Sequence, residues 1–207
     1  MRPQILRNQV KNYLLGQIQR GELKVGSTIN LAALSRSIGI SVTPIREALS
    51  QLEHARVVKA VRNRGFVVER LNKQEAKDLY HTIAHLEIMA LESSSFTKDD
   101  IISLRSQHNK MQQMNNPAET LNARFHFHGL LIKNCSNSVL LQILDNLRMR
   151  LHFYEQGFGD DPSFYALMNN QNEAMIQAIE EDNIPTATLI LKMNWMTVLE
   201  YAQNRIA

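Results

Sequence analysis

Apolar side chains recur along most of this chain at intervals of three and four residues, the period that lines one face of an α-helix. Between Leu6 and Arg20 the positions Val10, Tyr13, Leu14 and Ile18 keep that spacing, which predicts an amphipathic first helix ending at Gly21. Leu31, Leu34 and Ile38 predict a short second helix, capped by Asn30 and closed by Gly39, a residue that tolerates a tight turn. A third follows at once. Its inward positions are Ile45, Ala48, Leu49 and Leu52, with Ser41 placed to accept from the free amides of the first turn and Pro44 within that turn. The period then changes. Val57-Val58-Lys59-Ala60-Val61 and Phe66-Val67-Val68 are β-branched or aromatic runs around Arg62-Asn63-Arg64-Gly65, which predicts a hairpin with two arginines at its tip.

Beyond Leu71-Asn72-Lys73-Gln74 the helical period returns and no strand-like alternation of useful length interrupts it. Ala76, Leu79, Tyr80, Ile83, Leu86 and Ala90 form one stripe, and Thr97 with Asp100 resembles a capping box opening a second helix through Met111. Asn115-Asn116-Pro117 ends it. A third helix is predicted from Pro117 to Lys133, and a fourth on Leu140, Leu144, Leu147, Leu151 and Tyr154. After the loop Gly157-Phe158-Gly159-Asp160-Asp161-Pro162 come a fifth on Tyr165, Met168, Asn172, Met175 and Ile179, and a sixth on Ala187, Ile190, Leu191, Asn194, Val198 and Tyr201. The fold class is therefore mostly α. A winged helix-turn-helix of three helices and a β-hairpin is expected at residues 1–70, a linker at 71–76, and an all-α six-helix bundle at 77–207.

Composition excludes several classes. With 207 residues, 44% of them apolar, and only 8 Gly and 5 Pro, the chain can bury a core and is neither disordered nor collagenous. No stretch approaches the roughly 18 uninterrupted apolar residues of a spanning helix, and Met1-Arg2-Pro3-Gln4 leads into no signal-peptide core, so no membrane insertion or secretion is expected. The single cysteine, Cys135, forms no internal disulfide, which makes the cytoplasm the default location. Charge is divided. Residues 1–70 carry 12 basic and 4 acidic side chains, and residues 71–207 carry 11 and 16, a net of +8 beside a net of −5. That asymmetry suggests a polyanion-binding module joined to one that is not, with an ordinary solvated basic surface as the alternative.

The segment Ser41-Val42-Thr43-Pro44-Ile45-Arg46-Glu47-Ala48-Leu49, followed by Arg64-Gly65-Phe66, resembles the GntR family of bacterial transcription regulators. The helical remainder is similar to the ligand-binding (FCD-type) domain of the FadR/VanR branch of that family. The resemblance implies a homodimer docked on a pseudo-palindromic operator in double-stranded DNA. Thr43 and Arg46 would meet phosphates and base edges, and the Gly65 wing tip would lie near the minor groove. Arginine can donate two parallel bonds to guanine, so Arg46 is the candidate for sequence discrimination, against the alternative of a surface arginine paired with Glu47 or Glu53. The chain departs from the family at two positions, with Val42 and Ala32 where arginine is usual. Arg36, one turn beyond Ala32, restores a phosphate donor, and Val42 suits a thymine methyl. Arg62, Asn63 and Arg64 are expected to make backbone or minor-groove contacts or to form a solvated tip. The expected DNA-binding set is thus Arg36, Ser41, Val42, Thr43, Pro44, Arg46, Arg62, Asn63, Arg64 and Gly65.

The resemblance also implies a divalent metal held by an Asp, a His one turn later, and two further His. Aligned on Leu121-Asn122-Ala123-Arg124-Phe125-His126, those positions are Asn122, His126, Asn172 and Asn194, only one of them still a histidine. Neutral amides beside one imidazole are poor metal ligands, so no metal or other cofactor is expected. The expected effector pocket is metal-free and lined by Asn122, His126, Asn172 and Asn194, with Arg148 or Arg150 as counter-charge. Alternatively, these residues satisfy one another or hold buried water. Where carboxylate-binding relatives carry an arginine one turn before Glu87, this chain has Ile83. His81 and His85 are read as a half-exposed pair rather than metal ligands.

The functional expectation is a cytoplasmic bacterial transcription regulator, a repressor in the first instance, whose helical domain dimerises and senses a small molecule. A constitutive DNA-binding factor with a non-sensing pocket is the alternative. An enzyme localised by a basic module is a remote one, because no nucleophile elbow, phosphate loop, zinc-peptidase helix or paired-carboxylate site occurs and the chain reads as no enzyme.

Overall fold

A computed structural model describes residues 3–19, 22–69, 72–114, 116–155 and 161–206. Two compact units divide the chain, Met1–Leu71 with Met149–Tyr154, and Asn72–Arg148 with Glu155–Ala207.

The N-terminal unit begins with α1 (Pro3–Gln19) and β1 (Thr28–Ile29), followed by α2 (Leu31–Ile38), α3 (Val42–His54), β2 (Val58–Val61) and β3 (Gly65–Val68). Asn30 caps α2 as expected, its side chain accepting from the Ala33 amide at 3.0 Å, and Gly39 closes it with left-handed backbone at φ 67°. Packing of α1 and α2 against α3 and the sheet buries Val10, Leu14, Leu34, Ile45, Leu49, Leu52, Val57, Val58, Phe66 and Val68. The predicted hairpin is present, with Val58 opposite Val68 and Val61 opposite Gly65. A third strand was not expected. β1 pairs antiparallel with β3, Ile29 opposite Phe66, giving the order β1-β3-β2; two residues are too few to carry an alternating signal. The Ile18 side chain and Gly21, both invoked for the first helix, lie outside what is described.

The C-terminal unit is built on α4 (Lys73–Glu92), α5 (Lys98–Gln112), α6 (Pro117–Ile132), α7 (Ser138–Glu155) apart from its Met149–Tyr154 stretch, α8 (Pro162–Glu180) and α9 (Ile184–Arg205). Residues 73–76, expected in the linker, form the first turn of α4, because Asn72 caps it by accepting from the Glu75 amide at 2.8 Å. The Thr97–Asp100 capping box forms, with the Asp100 carboxylate accepting from the Thr97 amide at 2.8 Å and the Thr97 hydroxyl accepting from the Asp100 amide at 3.3 Å. Helix α9 lies against α4 and α8, and α5 against α6 and α8. Trp195, Tyr80, Phe127, Ile83, Leu91, Leu104 and Leu131 are fully enclosed among them. Cys135, beyond the end of α6, is also buried, and the Ser93 hydroxyl donates to its sulfur at 3.3 Å. The Gly157–Gly159 loop lies outside the described residues.

Candidate functional site

Helices α2 and α3, joined through Gly39, make a helix-turn-helix. On α3 the apolar positions Ile45, Ala48, Leu49 and Leu52 bury one face, which leaves Val42, Thr43 and Arg46 exposed on the other. Arg36 on α2 is exposed as well. Two expectations need correction. Pro44 is buried, because it shares a helical face with Ala48 one turn on, so it packs into the unit. Ser41 has the extended backbone of a cap, but its exposed side chain makes no capping bond. The first-turn amides of α3 therefore receive no capping bond from Ser41, and free amides at a helix start suit an anionic oxygen such as phosphate. Arg46 forms no ion pair among the described residues, and Glu53, its alternative partner, accepts the Ala60 amide at 2.8 Å.

At the wing tip the chain reverses tightly. The Arg64 amide donates to the Val61 carbonyl at 3.0 Å, and Asn63 adopts φ 64°, leaving Arg62, Asn63 and Arg64 exposed. Gly65 closes the reversal at φ 85°, and a Cβ there would lie 3.2 Å from the Ile29 carbonyl oxygen of β1. Left-handed backbone and close approach of a neighbouring strand both favour glycine.

The C-terminal unit encloses a cluster of charged and polar groups centred on Glu87 of α4, which is 0% exposed. Its carboxylate accepts from His128 Nδ1 at 2.7 Å, Trp195 Nε1 at 2.8 Å, and Arg148 Nε and Nη2 at 3.1 and 2.6 Å. Burial pushes this carboxyl up, but His128 and Arg148 outweigh it by charge and hydrogen bonding, and it lies at about 2. Burial, with Arg124 and Arg148 as further opposing charges, holds the His128 imidazole below its usual range despite the pull of Glu87. With Nδ1–H directed at Glu87, the Nε2 edge of the His128 ring is left facing away from that carboxylate. A second buried pair joins Arg124 of α6 to Glu155 of α7, and the Tyr80 hydroxyl donates to the same carboxylate at 2.9 Å. The Trp195 ring lies between the two groups, 4.7 Å from the His128 ring and 5.2 Å from the Arg124 guanidinium carbon. On α8 and α9, Asn194 Nδ2 donates to Gln171 Oε1 at 3.0 Å and to Asn172 Oδ1 at 3.5 Å.

Arg124 Nη1, His128 Nε2, Asn172 Nδ2 and Asn194 Oδ1 are buried and have no hydrogen-bond partner among the described residues. Asn172 and Asn194 are buried where the periodicity of their helices puts them, each 1% exposed. Asn122 and His126 are not there. Both are exposed, because α6 turns Leu121, Arg124, Phe127, His128 and Leu131 inward. The inward pair one turn apart is thus Arg124 and His128, displaced by two residues from the expected Asn122 and His126. Glu87 and Trp195 were not expected as members. Their signal was an acid inside an apolar stripe on α4 and an indole beside Asn194.

The corrected residues do not fit the divalent metal that the resemblance implies. The buried Arg124 guanidinium stands one turn from His128, two neutral amides, Asn172 and Asn194, stand at positions of the implied ligand set, and Glu87 already accepts four hydrogen bonds. No group of three or more His, Cys, Asp or Glu side chains placed to hold a metal occurs among the described residues. His85 Nδ1 lies 2.6 Å from the His81 carbonyl oxygen.

Residues 6–68 match the family described as bacterial regulatory proteins of the gntR family, and residues 78–193, more than half of the chain, match the FCD domain. Among curated relatives, the HTH-type transcriptional regulator YdhC of Bacillus subtilis is 28% identical over 70% of this chain and 67% of its own length. The HTH-type transcriptional regulator McbR of Escherichia coli is 26% identical over 69% and 67%, and the HTH-type transcriptional repressor GlaR of E. coli 25% identical over 65% and 66%. The solved structure of E. coli McbR/YncC superposes with a TM-score of 0.81 at 20% identity, covering 98% of this chain and 99% of that one. A GntR transcriptional regulator from Rhodococcus sp. RHA1 gives 0.75 at 18%, covering 97% and 96%. No described helix is long and apolar enough to cross a membrane. With a helix-turn-helix and wing in front of a helical unit that each match their family, the chain belongs to the GntR-type transcription regulators that carry an FCD domain.

Proposed function

We propose that this chain is a cytoplasmic, homodimeric repressor rather than an enzyme, and that it reads a pseudo-palindromic operator through its N-terminal unit and senses a small molecule in its C-terminal unit. The observation that carries the sensing role is the set of four unpartnered polar atoms on side chains at most 2% exposed. A buried donor or acceptor left unsatisfied costs on the order of 1–3 kcal/mol, so a region that retains four is complementary to something that fills it. Support for repression comes from the relative named as a repressor. Reading is assigned to Thr43, Arg46 and Val42 on α3, phosphate contacts to Arg36, Ser41 and the wing residues Arg62, Asn63, Arg64 and Gly65, and effector contacts to Asn172, Asn194 and Arg148. An effector acts by binding more tightly to one arrangement of the dimer than to the other, which shifts DNA affinity by that difference.

Selection of binding sites from random duplexes, followed by anisotropy titration of the selected site, tests the reading. Enrichment of inverted half-sites about one helical turn apart, bound by a species that sediments as a dimer, is expected. Enrichment of no sequence above the random pool overturns it.

A further inference from the structure

We propose that the buried cluster of the C-terminal unit takes an uncharged small molecule bearing several hydroxyl or amide groups, rather than a carboxylate or a metal ion. This deepens the sensing role proposed above and rests on it. The four unpartnered atoms stand on three helices joined by side-chain contacts, α6, α8 and α9. Arg124 and His128 lie one turn apart on α6 and both contact the Trp195 ring, while Asn194 precedes that tryptophan and bonds Asn172. Their chemistry is mixed. Arg124 Nη1 and Asn172 Nδ2 can only donate, Asn194 Oδ1 can only accept, and His128 Nε2 adds a further open ring nitrogen. A complementary ligand therefore brings acceptors and donors together, as neighbouring hydroxyls or a primary amide do.

Charge decides between an acid and its neutral counterpart. Glu87 and Glu155 carry two negative charges, Arg148 and Arg124 two positive ones, and these pairs are already made within the protein. A carboxylate entering this balance adds an uncompensated buried charge, which costs several kcal/mol unless the protein supplies a proton. A metal ion meets the opposite obstacle, since the Arg124 guanidinium is a fixed cation beside the imidazole that would ligate it. A neutral ligand disturbs neither.

The test is thermal unfolding of the full, chelator-treated chain with matched pairs that differ in the acid group: ribitol and ribonate, glucitol and gluconate, succinamide and succinate. Zn2+ and Mn2+ alone are further probes. A saturable rise in midpoint with one uncharged member, at a concentration at least about tenfold below that needed of its acid, is expected. The rise is lost in Asn172→Ala and in Asn194→Ala. Preference for an acid, or a saturable rise with a metal ion alone, overturns the ligand class and leaves sensing in place. No shift with any probe also overturns the class, and the unliganded Asn194→Leu chain then decides the reading beneath it. A fall of several degrees makes the amide a structural prop and removes sensing too, whereas an unchanged or raised midpoint retains it.

Discussion

Arg46 and Arg64 are both exposed arginines of the N-terminal unit, but they stand on different supports. On the proposed reading, the guanidinium on α3 is held by the helix for a base edge, whereas the one on the hairpin tip serves the backbone. Arg46→Ala is expected to lose about 1–3 kcal/mol of discrimination at one base pair of each half-site, read by anisotropy against single-base variants of the selected operator. Arg64→Ala is expected to weaken selected and random duplexes by the same factor; an equal pattern for both variants contradicts the assignment. In the C-terminal unit, acid should act through His128. Its folded-state value lies below the unfolded 6.5, so as pH falls through that value the unfolded chain takes a proton that the folded chain refuses, and stability declines. Glu87, held at about 2 against 4.5, adds a second decline as pH falls from 4.5 toward 2. Denaturant titrations from pH 7 to pH 5 should show a shallower decline for His128→Asn, which keeps a donor for Glu87. His108, also lowered by burial and facing Glu173 and Arg105, maintains part of the slope. At this scale the sequence was legible for Asn172 and Asn194, whose stripes are regular. It misled at Phe125-His126-Phe127-His128, where two Phe-His pairs stand two residues apart and the register of α6 rests on Leu121 and Leu131.

Among the elements, the wing depends on one glycine and on a strand too short to be read beforehand. A side chain at Gly65 must adopt φ 85° and crowd the Ile29 carbonyl, so Gly65→Val is expected to cost about 1–3 kcal/mol in the N-terminal unit. Loss of DNA affinity, with the C-terminal unit's Trp195 fluorescence transition unmoved, is the measurement that checks it. The arginine-tipped hairpin was evident from its β-branched runs, yet the strand that limits residue 65 was not, because its pairing is long-range. Caps show the same contrast. Asn30 and Thr97 cap their helices as read, whereas Asn72, Asp161 and Asn183 cap theirs unread. Ser41, identical in type to a good cap, makes no capping bond and leaves the start of α3 open on the exposed face.

For the molecule as a whole, the net of +8 on residues 1–70 against −5 on the remainder places its affinity for a polyanion in the N-terminal unit. Counterion release makes the logarithm of affinity fall with the logarithm of salt by about 0.9 for each phosphate neutralised. The double variant Arg62→Ala with Arg64→Ala should flatten that slope by roughly one for each phosphate contact removed, in titrations between low and moderate salt. Fold class and the two-part plan were legible because period and charge both change near residue 70. The composition of the internal cluster was not, since it joins α4, α6, α7, α8 and α9, and side-chain partners so distant in sequence leave no local pattern. The burial of Cys135 has a practical consequence. It is the single thiol of the chain, enclosed in the C-terminal unit and bonded by Ser93, so its reaction with a disulfide reagent clocks the opening of the fold around it. The labelling rate of the unaltered protein, compared with and without operator DNA, thereby reports whether occupancy of the N-terminal unit changes the lifetime of that closed packing.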